Sequence, residues 1–543
     1  MLKRSDNIEF DLPNSSENVS KTAIIIGAGF GGLAAAMRLG AKGYKVVVFD
    51  KMNSLGGRGS SINLKGYRFD LGPTIVTLPN MFRSLWNYCG RDFDKDVELK
   101  SLDPFYKIKF PDNSEFSASN DSNQMKKQVK EFSPSDLAGY EKFMRESKIR
   151  YDIAFSEEKS IGRVSMHKLW DTLKVLPLFG LLRADRSVYQ MAAARVKDSR
   201  LRFALSFHPL FVGGDPFNVT SMWGLVSHIE KVFGVHCAIG GFSAIAKAMG
   251  KIILEQGGDI YLNSEVKEIT YVHNKVTGVK LKDNRNVKAD IVISNSDPAY
   301  TYNELLKTKN KKRWTEKKLK NKKWSMGLFV WHFGTKNTKN MWSDVGHHTI
   351  LHGPRYAGHV KDIFINGILS EDMSLYVHRP SVTDPTCAPD NCDTFYVLSC
   401  VPHLGHSNSV NWEDEKEKYL KKVAKFLDSR LLPGFQKKIV ESYIMTPNEF
   451  GKNYLSPMGT GFSIEPRMFQ SAWFRPHNIS EEVDGLYLVG AGTHPGPGVP
   501  WVIASAEIIA KEIQDGKLNH NQNKKLHEKI DYGLIFNIYM IIS

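Results

Sequence analysis

Two glycine-rich turns stand at opposite ends of this chain, and together they restrict its possible folds more than any other feature. The first lies within IIIGAGFGGLAAAM, which starts at Ile24, and the second lies within LYLVGAGTHPGPGVP, which starts at Leu486. In the first, an apolar run typical of a strand buried in a parallel sheet ends at Gly27, and an alanine-rich helix pattern follows Gly32. A G-x-G-x-x-G spacing between a strand and a helix predicts a dinucleotide-binding turn.

Each glycine of the first turn has a distinct expected function. Gly27 makes the tight turn, Gly29 lets the backbone approach a pyrophosphate, and Gly32 lets the helix pack closely on the strand. The helix N-terminus adds free N–H groups and partial positive charge. Asp50 ends the next apolar run about twenty residues on, where a carboxylate accepts hydrogen bonds from a ribose diol and disfavours a 2′-phosphate. The predicted contacts are Gly27, Gly29, Phe30, Gly31, Gly32, Asp50 and Lys51.

A second glycine pair follows Asp50 and favours FAD over NAD. Gly56, Gly57 and Arg58 look like the G-G-R that continues the glycine signature in flavoproteins of the amine oxidase and carotenoid desaturase superfamily. In those flavoproteins the arginine lies against the phosphate and flavin region of the cofactor. Another Gly-Pro turn comes after a short strand. The residues expected to contact the cofactor here are Gly57, Arg58, Gly72, Pro73 and Thr74.

The second glycine turn explains how one chain could hold a cofactor as long as FAD. The flavin extends well beyond the reach of one helix N-terminus, so it needs another backbone platform. An apolar strand ending at Val489 is followed by glycines and then by a helix pattern. The N-terminus of that helix can stabilise negative charge at the N1/O2 edge of the isoalloxazine ring. The expected contacts are Gly490, Gly492, Thr493, Gly498 and Val499.

A third segment, residues 240–300, is expected to join the same cofactor. It contains an amphipathic helix pattern, a Gly-Gly turn and alternating strands that continue into KVTGVKL and ADIVISN. We expect these last two runs to be strands of a small sheet. In related flavoproteins the backbone at the Val266 position meets the adenine, so Val266 completes the predicted cofactor contacts.

The predicted fold is α/β, with a discontinuous Rossmann-like FAD-binding domain of the glutathione reductase type and an inserted α+β substrate domain. The cofactor domain must be discontinuous, because its three segments are separated by long insertions. The expected bounds are 21–80, 235–300 and 481–515 for the FAD domain, 81–234 and 301–480 for the substrate domain, 1–20 for a loose lead-in and 516–543 for a tail.

Longer segments give the chain a more specific resemblance. From Ala23 to about Ile513 it resembles the bacterial-type phytoene desaturases of the lycopene-forming kind, carotenoid oxidoreductases of the FAD-dependent amine oxidase superfamily. The resemblance lies in DLGPT from Asp70, SFHPLFVGGDPF from Ser206, SLYVHRPSVTDPTCAP from Ser374, FSIEPRMFQSAWFRPHN from Phe462 and the second glycine turn. It implies non-covalently bound FAD, the polyisoprenoid hydrocarbon phytoene as substrate, quinone or oxygen as electron acceptor, and peripheral attachment to a membrane.

The chain departs from this family beside the second glycine turn. The family usually has a small residue at the position of Pro497 and glycine at the positions of Trp501 and Ala504. This sequence therefore places bulk where the flavin and the substrate are expected to meet. Either the activity itself or the number of double bonds introduced is the property that this bulk is expected to affect.

Desaturation transfers hydride from a CH2–CH2 unit to the flavin and releases a proton. Within MHKLWDTLKVLPLFGLL, Asp171 and Lys174 share one face if the segment is helical. In a hydrocarbon tunnel they would act as acid/base or cation stabiliser, and they are the candidate catalytic residues. An amphipathic surface helix explains the same pattern. Asp215 and Glu465 lie in other marked segments, where turn capping is the simpler interpretation.

The expected substrate also requires a membrane. At about 0.8 kcal/mol per buried CH2, a forty-carbon hydrocarbon loses on the order of 30 kcal/mol on entering water. The formal net charge is +15, and residues 307–323 form a basic run suited to anionic headgroups. We therefore expect peripheral docking at the cytoplasmic face, with residues 169–182 as an apolar entry. Nucleic acid is not expected, because no recognition signature accompanies the basic run.

Other interpretations use the same scaffold. A carotenoid isomerase binds FAD but changes only double-bond geometry, an amine oxidase needs a polar entry and an aromatic cage, and a lipid carrier of the GDP-dissociation-inhibitor type dispenses with flavin. A diapophytoene desaturase, which has a shorter substrate, also fits the residues. The scattered cysteines lack the short paired spacings of a zinc site, so no metal is predicted. The N-terminal residues lack the apolar run of a signal peptide.

Overall fold

The computed structural model describes residues 20–308 and 311–516. The predicted lead-in at 1–20 and tail at 516–543 therefore lie, apart from their inner end residues, outside the described residues. The strands of the described part are β1 (Thr22–Ile26), β2 (Lys45–Phe49), β3 (Ser61–Leu64), β4 (Tyr67–Asp70), β5 (Leu99–Leu102), β6 (Tyr106–Lys109), β7 (Glu115–Ala118), β8 (Val235–Ala238), β9 (Asp259–Tyr261), β10 (Val266–Val272), β11 (Lys275–Leu281), β12 (Asn286–Lys288), β13 (Ile291–Ser294), β14 (Gly327–Thr335), β15 (His348–Leu351), β16 (Leu375–His378), β17 (Asp393–Val401), β18 (Ile439–Met445) and β19 (Leu486–Leu488).

Helices occupy the longer segments between these strands, together with short 3-10 and π turns. Among the described residues, no helix is both long and apolar enough to span a bilayer. The α-helices of this part are α1 (Phe30–Ala41), α2 (Pro79–Tyr88), α3 (Phe93–Asp96), α4 (Ser122–Phe132), α5 (Leu137–Ala154), α6 (Leu169–Leu181), α7 (Val188–Ala193), α8 (Ser199–Ser206), α9 (Leu225–Phe233), α10 (Gly241–Glu255), α11 (Pro298–Tyr300), α12 (Glu316–Lys320), α13 (Tyr356–Lys361), α14 (Trp412–Arg430), α15 (Pro447–Tyr454) and α16 (Val499–Glu512).

The central sheet draws its strands from three distant parts of the chain. Within the described residues it has five parallel strands in the order β19-β13-β1-β2-β9. Ile26, the last residue of β1, pairs with Phe49 of β2 and with Ser294 of β13, and Ser294 pairs with Leu488 of β19. Because both glycine turns follow the carboxyl ends of parallel strands, they leave the same edge of one sheet.

The expectation that ADIVISN belongs to a small sheet was wrong. Its core is β13, which lies in the central sheet between β1 and β19. All four residues of β13 are buried, because helices α1, α10 and α16 cover one face of this sheet and the strands β10, β11 and β12 cover the other. The small antiparallel sheet that does form contains β10, β11 and β12 only, among the residues described.

A larger sheet lies in the segments predicted to form the substrate domain. Its order is β18-β14-β17-β16-β15-β6-β7, and its pairs are antiparallel except for β15 and β6. β14 is buried along its whole length. Parallel and mixed sheets with surrounding helices confirm the α/β fold class, whereas the division into two domains with the stated bounds stays a prediction.

Helices α1 and α16, which follow the two glycine turns, pack against each other. Glu507 of α16 lies 3.0 Å from the Arg163 guanidinium and 3.8 Å from that of Arg38 in α1. All three side chains are almost completely buried, so loss of Glu507 would leave two arginine charges without compensation in the interior. These ion pairs therefore fix the two helices, and with them the two turns, relative to each other.

Candidate functional site

The first glycine turn leaves no room for larger side chains. Gly27 has a φ of +96°, which favours glycine, and a Cβ on Gly32 would lie 2.0 Å from the Gly27 carbonyl oxygen. Gly29 caps α1 without a side-chain hydrogen bond. The N–H groups of the first helical turn are therefore available to a ligand, as binding of a pyrophosphate requires.

Asp50 is held at the base of this turn by backbone donors. The Ala28 N–H donates to Asp50 Oδ2 at 2.6 Å, and the Met52 N–H donates to Oδ1 at 2.7 Å. Burial raises the pKa of the Asp50 carboxyl, and the two donors oppose that shift. Each carboxylate oxygen keeps acceptor capacity for a ribose hydroxyl. The Ser264 N–H donates to the Asp50 carbonyl at 2.7 Å, which brings the start of β10, with Val266, beside Asp50.

Asn295 contacts both glycine turns, and the sequence analysis missed it. Its Nδ2 donates to the Gly27 carbonyl at 3.3 Å. Cβ atoms on Gly29, Gly31 and Gly490 would lie between 2.6 and 2.8 Å from its amide group. These glycines thus make room for Asn295 as well as for a ligand. The available signal was an asparagine two residues after the apolar run Ile291–Ile293, the pattern of a polar group at the carboxyl edge of a parallel strand.

Arg58 carries a buried positive charge with incomplete pairing. Its Nη2 donates to Ser456 Oγ at 2.5 Å, while its buried Nε has no hydrogen-bond partner among the described residues. Burial lowers the pKa of Arg58, and the charge of Asp297 opposes this shift. Burial also raises the pKa of Asp297. An anionic group beside Arg58, such as the phosphate and flavin region of FAD, would compensate its charge, so these residues fit FAD.

The second glycine turn is fixed by Arg475. This fully buried side chain donates to the backbone carbonyls of Ala491 at 2.7 Å, Ile464 at 2.8 Å and Thr493 at 3.0 Å. Gly490 has a φ of +104°, and its N–H donates to Ser505 Oγ of α16 at 3.0 Å. Buried side chains therefore hold this turn in shape, and backbone atoms form its open face.

A cavity of about 420 Å³, called the main cavity below, follows both turns and continues to the seven-stranded sheet. Two predicted cofactor contacts do not line it. Gly32 packs against the Gly27 carbonyl, and the buried Thr493 hydroxyl donates to the Gly490 carbonyl at 3.0 Å, so both shape the turns instead. The predicted contacts that do line it are Gly27, Gly29, Phe30, Gly31, Asp50, Lys51, Gly57, Arg58, Gly72, Pro73, Thr74, Val266, Gly490, Gly492, Gly498 and Val499.

The half of the main cavity that lies against the seven-stranded sheet has mostly apolar and aromatic walls. We call this half the apolar chamber; its walls include Phe207, Phe211, Ile350, Leu375, Tyr376 and Leu398. Trp501 also lines the main cavity, and its ring packs on Trp223 and Phe155 with centroid distances of 5.1 and 5.3 Å. A Cβ on Gly498 would lie 2.9 Å from the Trp501 ring, so this bulk stands directly beside the second turn.

The candidate catalytic residues Asp171 and Lys174 lie outside the main cavity. Both belong to α6, where Lys174 is exposed and Asp171 is half-buried. Neither contributes to the walls of the main cavity. The helical spacing predicted that the two charged side chains lie on one helix, but it could not show whether they point towards the main cavity. The geometry gives them no contact with a substrate in the chamber, and they are not retained as catalytic candidates.

Asp215 and Glu465 stabilise neighbouring turns, as the simpler interpretation expected. The Phe217 N–H donates to Asp215 Oδ1 at 2.8 Å, and the Asp215 N–H donates to Glu465 Oε1 at 2.9 Å. Burial raises the pKa of Glu465 to about 7, with the charge of Arg467 opposing. These carboxyls therefore accept hydrogen bonds from backbone N–H groups, and neither residue lines the main cavity.

Comparison with known proteins decides the family. The profile of the flavin containing amine oxidoreductases matches residues 30–514. The chain belongs to this family. It is an FAD-dependent oxidoreductase, which confirms the predicted cofactor. The oxidoreductase of Methanosarcina mazei, a solved structure, covers 90% of this chain and all of its own at a TM-score of 0.61 with 18% identity, and this likeness concerns the fold.

Two relatives of this chain are similar over nearly their whole length. The phytoene desaturase (neurosporene-forming) of Rhodobacter capsulatus is 60% identical over 494 residues, which are 91% of this chain and 94% of that protein. The phytoene desaturase (lycopene-forming) of a Paracoccus species is 39% identical over 498 residues, which are 92% of this chain and 98% of that protein. The resemblance to phytoene desaturases is thus confirmed, but its lycopene-forming detail is not.

Proposed function

We propose that this protein is a phytoene desaturase, which removes hydrogen from CH2–CH2 units of phytoene with FAD as the oxidant. The observation that carries the proposal is the main cavity, which joins the two glycine turns to the apolar chamber. A hydrocarbon substrate offers no hydrogen-bonding group, so it requires an apolar wall. Phytoene as the substrate is supported by the names of the two relatives.

FAD would supply the hydride acceptor. The chain's residues would hold and orient it through the lining residues of the two turns. In this proposal the N–H groups at the start of α1 bind the pyrophosphate, Asp50 binds the ribose and the Val266 backbone meets the adenine. The N-terminus of α16 at Val499 stabilises negative charge on the flavin. The apolar chamber aligns the hydrocarbon beside the flavin and excludes water from it.

For the product, we propose neurosporene in place of the lycopene expected from the resemblance. The relative at 60% identity is neurosporene-forming, and the lycopene-forming relative has 39% identity. Neurosporene is one desaturation short of lycopene, so the difference concerns how far the hydrocarbon can advance past the flavin. Trp501, packed on Trp223 beside Gly498, stands at the place where such a limit would act.

Expression in cells that accumulate phytoene tests this function. We expect a coloured carotenoid whose mass shows hydrogens lost in pairs, with neurosporene as the main product. Chromatography with mass detection measures both. Unchanged phytoene in cells that contain the FAD-loaded protein would contradict the proposal, and a product of unchanged mass would instead indicate an isomerase.

We further propose that α6 binds the cytoplasmic face of a lipid bilayer. Phytoene would enter the protein from this bilayer, and either a quinone in the bilayer or oxygen would reoxidise FAD. The turn Ala472–Phe474 contacts α6. Lys322 donates to the Phe474 carbonyl at 2.9 Å, and Arg313 donates to the Trp473 carbonyl at 3.0 Å. The basic run thus lies next to an apolar helix, an arrangement that suits anionic lipid. The exposed apolar side chains of α6 are Leu169, Trp170, Leu173, Leu176 and Leu181.

Replacing Trp170, Leu173 and Leu176 together by serine is expected to weaken binding to phosphatidylglycerol-containing vesicles by at least about tenfold. Each large apolar side chain contributes about 1.5 kcal/mol or more when it is fully buried in lipid. Vesicle flotation measures the binding, and the flavin absorbance verifies folding. Val272→Ser removes an exposed apolar side chain from β10 and should float like the wild type. Equal flotation of the triple variant and the wild type would remove α6 from the proposal.

A further inference from the structure

A buried carboxylate stands in the wall of the apolar chamber, and nothing above explains it. Glu230, on α9, lines the main cavity together with His208. Both side chains are almost completely buried. Burying a carboxylate beside a hydrocarbon-binding wall costs free energy unless hydrogen bonds compensate it, so such a group calls for a functional explanation.

Glu230, His208 and Tyr106 form a closed hydrogen-bonded group. The Tyr106 hydroxyl donates to Glu230 Oε2 at 2.9 Å, and His208 Nε2 lies 3.1 Å from the same oxygen. His208 Nε2 also lies 3.1 Å from the Tyr106 hydroxyl. Burial, reinforced by the charge of Glu230, raises the pKa of Tyr106 well above its usual value, so this hydroxyl keeps its proton. A carboxylate oxygen can only accept hydrogen bonds, so His208 Nε2–H also donates to Oε2, and the two donors hold the Glu230 side chain in place.

The same group borders a second cavity. This second cavity, of about 350 Å³, is lined by Tyr106, His208 and Glu230 together with a mixture of basic, polar and apolar residues. Among the latter, Lys126 and Lys148 have exposed side chains, so the second cavity reaches the surface. Glu230 and its partners thus stand between the main cavity and a second cavity that opens to the surface.

The other carboxylates of the main cavity stand elsewhere. Asp50 and Glu265 flank the expected ribose and adenine positions, and Asp297 lies near Arg58. Among the described residues that line the main cavity, Glu230 is the remaining carboxylate. Its partner His208 stacks on Phe207 of the apolar chamber with a ring-centroid distance of 4.4 Å, which places Glu230 beside that chamber.

We propose that Glu230 accepts the proton that each desaturation releases and passes it into the second cavity; this inference rests on the proposed function. When hydride has left one carbon for FAD, the neighbouring C–H bond breaks and its electron pair forms the new C=C bond. The proton binds the Glu230 carboxylate and, because Glu230 lines both cavities, leaves from it through the second cavity. Glu230 thereby takes the place that the sequence analysis gave to Asp171 and Lys174.

Glu230→Gln tests the proposal in the FAD-loaded full chain, mixed anaerobically with phytoene in vesicles. Loss of the proton acceptor is expected to slow bleaching of the flavin absorbance about 10²–10⁴-fold. Binding of phytoene, measured by quenching of protein fluorescence, should stay close to the wild type, because the side-chain shape is kept. Glu98→Gln, which changes an exposed glutamate far from either lining, should bleach at the wild-type rate.

The outcomes separate this inference from the proposed function. If phytoene fails to bleach the wild type, the proposed function fails. If the wild type bleaches and FAD-loaded Glu230→Gln bleaches within about threefold of it, the proton-acceptor proposal is overturned. If Glu230→Gln does not bind FAD, Glu230→Asp is the second variant to measure. Slowed bleaching of its flavin with unchanged phytoene binding supports the proposal, and bleaching at the wild-type rate contradicts it.

Discussion

Gly32→Ala is expected to give a protein without FAD. The added Cβ would lie 2.0 Å from the Gly27 carbonyl oxygen. The backbone fixes the positions of both atoms, so no side-chain rotation relieves the overlap. Helix α1 must move away from β1, and the N–H groups expected at the pyrophosphate move with it. We expect colourless protein, no desaturation and a loss of about 3 kcal/mol or more in the free energy of unfolding. Flavin absorbance per chain and urea unfolding measure these changes.

Gly346→Ala is the matched control for this substitution. A Cβ at Gly346 meets no atom within 4 Å, so we expect full FAD content and a free energy of unfolding within about 0.5 kcal/mol of the wild type. If Gly32→Ala bound FAD at the wild-type stoichiometry, the first glycine turn could not be the pyrophosphate site in the way described.

Arg475→Leu is expected to remove the second platform for FAD. The substitution leaves the carbonyls of Ile464, Ala491 and Thr493 without their buried donor. An unsatisfied buried acceptor costs about 1–3 kcal/mol, so we expect the free energy of unfolding to fall by about 3–5 kcal/mol. The turn at Gly490 should loosen, and the affinity for FAD should fall at least about tenfold. Urea unfolding and flavin fluorescence titration of the apoprotein measure the two effects.

Arg83→Leu is a suitable control for the loss of an arginine. Arg83 forms an exposed ion pair with Asp94 at 2.7 Å, and pairs of this kind contribute less than about 1 kcal/mol. We expect unchanged FAD affinity for this variant. A similar FAD affinity for Arg475→Leu would show that the second turn does not depend on the buried guanidinium.

The parts of the site that could be predicted are those in which one residue type meets a local backbone requirement. A φ of +96° at Gly27 and a 2.0 Å approach at Gly32 admit glycine alone, so the spacing of glycines revealed the turn. The carboxylate at Asp50 follows from its place after a strand. Such features involve few residues close together in the chain, and sequence patterns record them directly.

The remaining features depend on packing between distant segments. The apolar run of β13 showed a buried strand but not its neighbours, which are set by β1 and β19. The contact between Tyr106 and Glu230 joins residues 124 positions apart, so no local pattern marks it. For α6, the spacing of Asp171 and Lys174 could not reveal that the helix presents both apolar and charged side chains outside the main cavity.

The central claim is that both glycine turns hold one FAD beside a hydrocarbon chamber. An anaerobic titration of the purified protein with phytoene in vesicles tests it most directly, with flavin absorbance and product mass recorded together. We predict one FAD per chain, full bleaching of its absorbance by phytoene, and one pair of hydrogens lost from the hydrocarbon for each FAD bleached. Flavin that stays oxidised while excess phytoene remains unchanged would contradict the account.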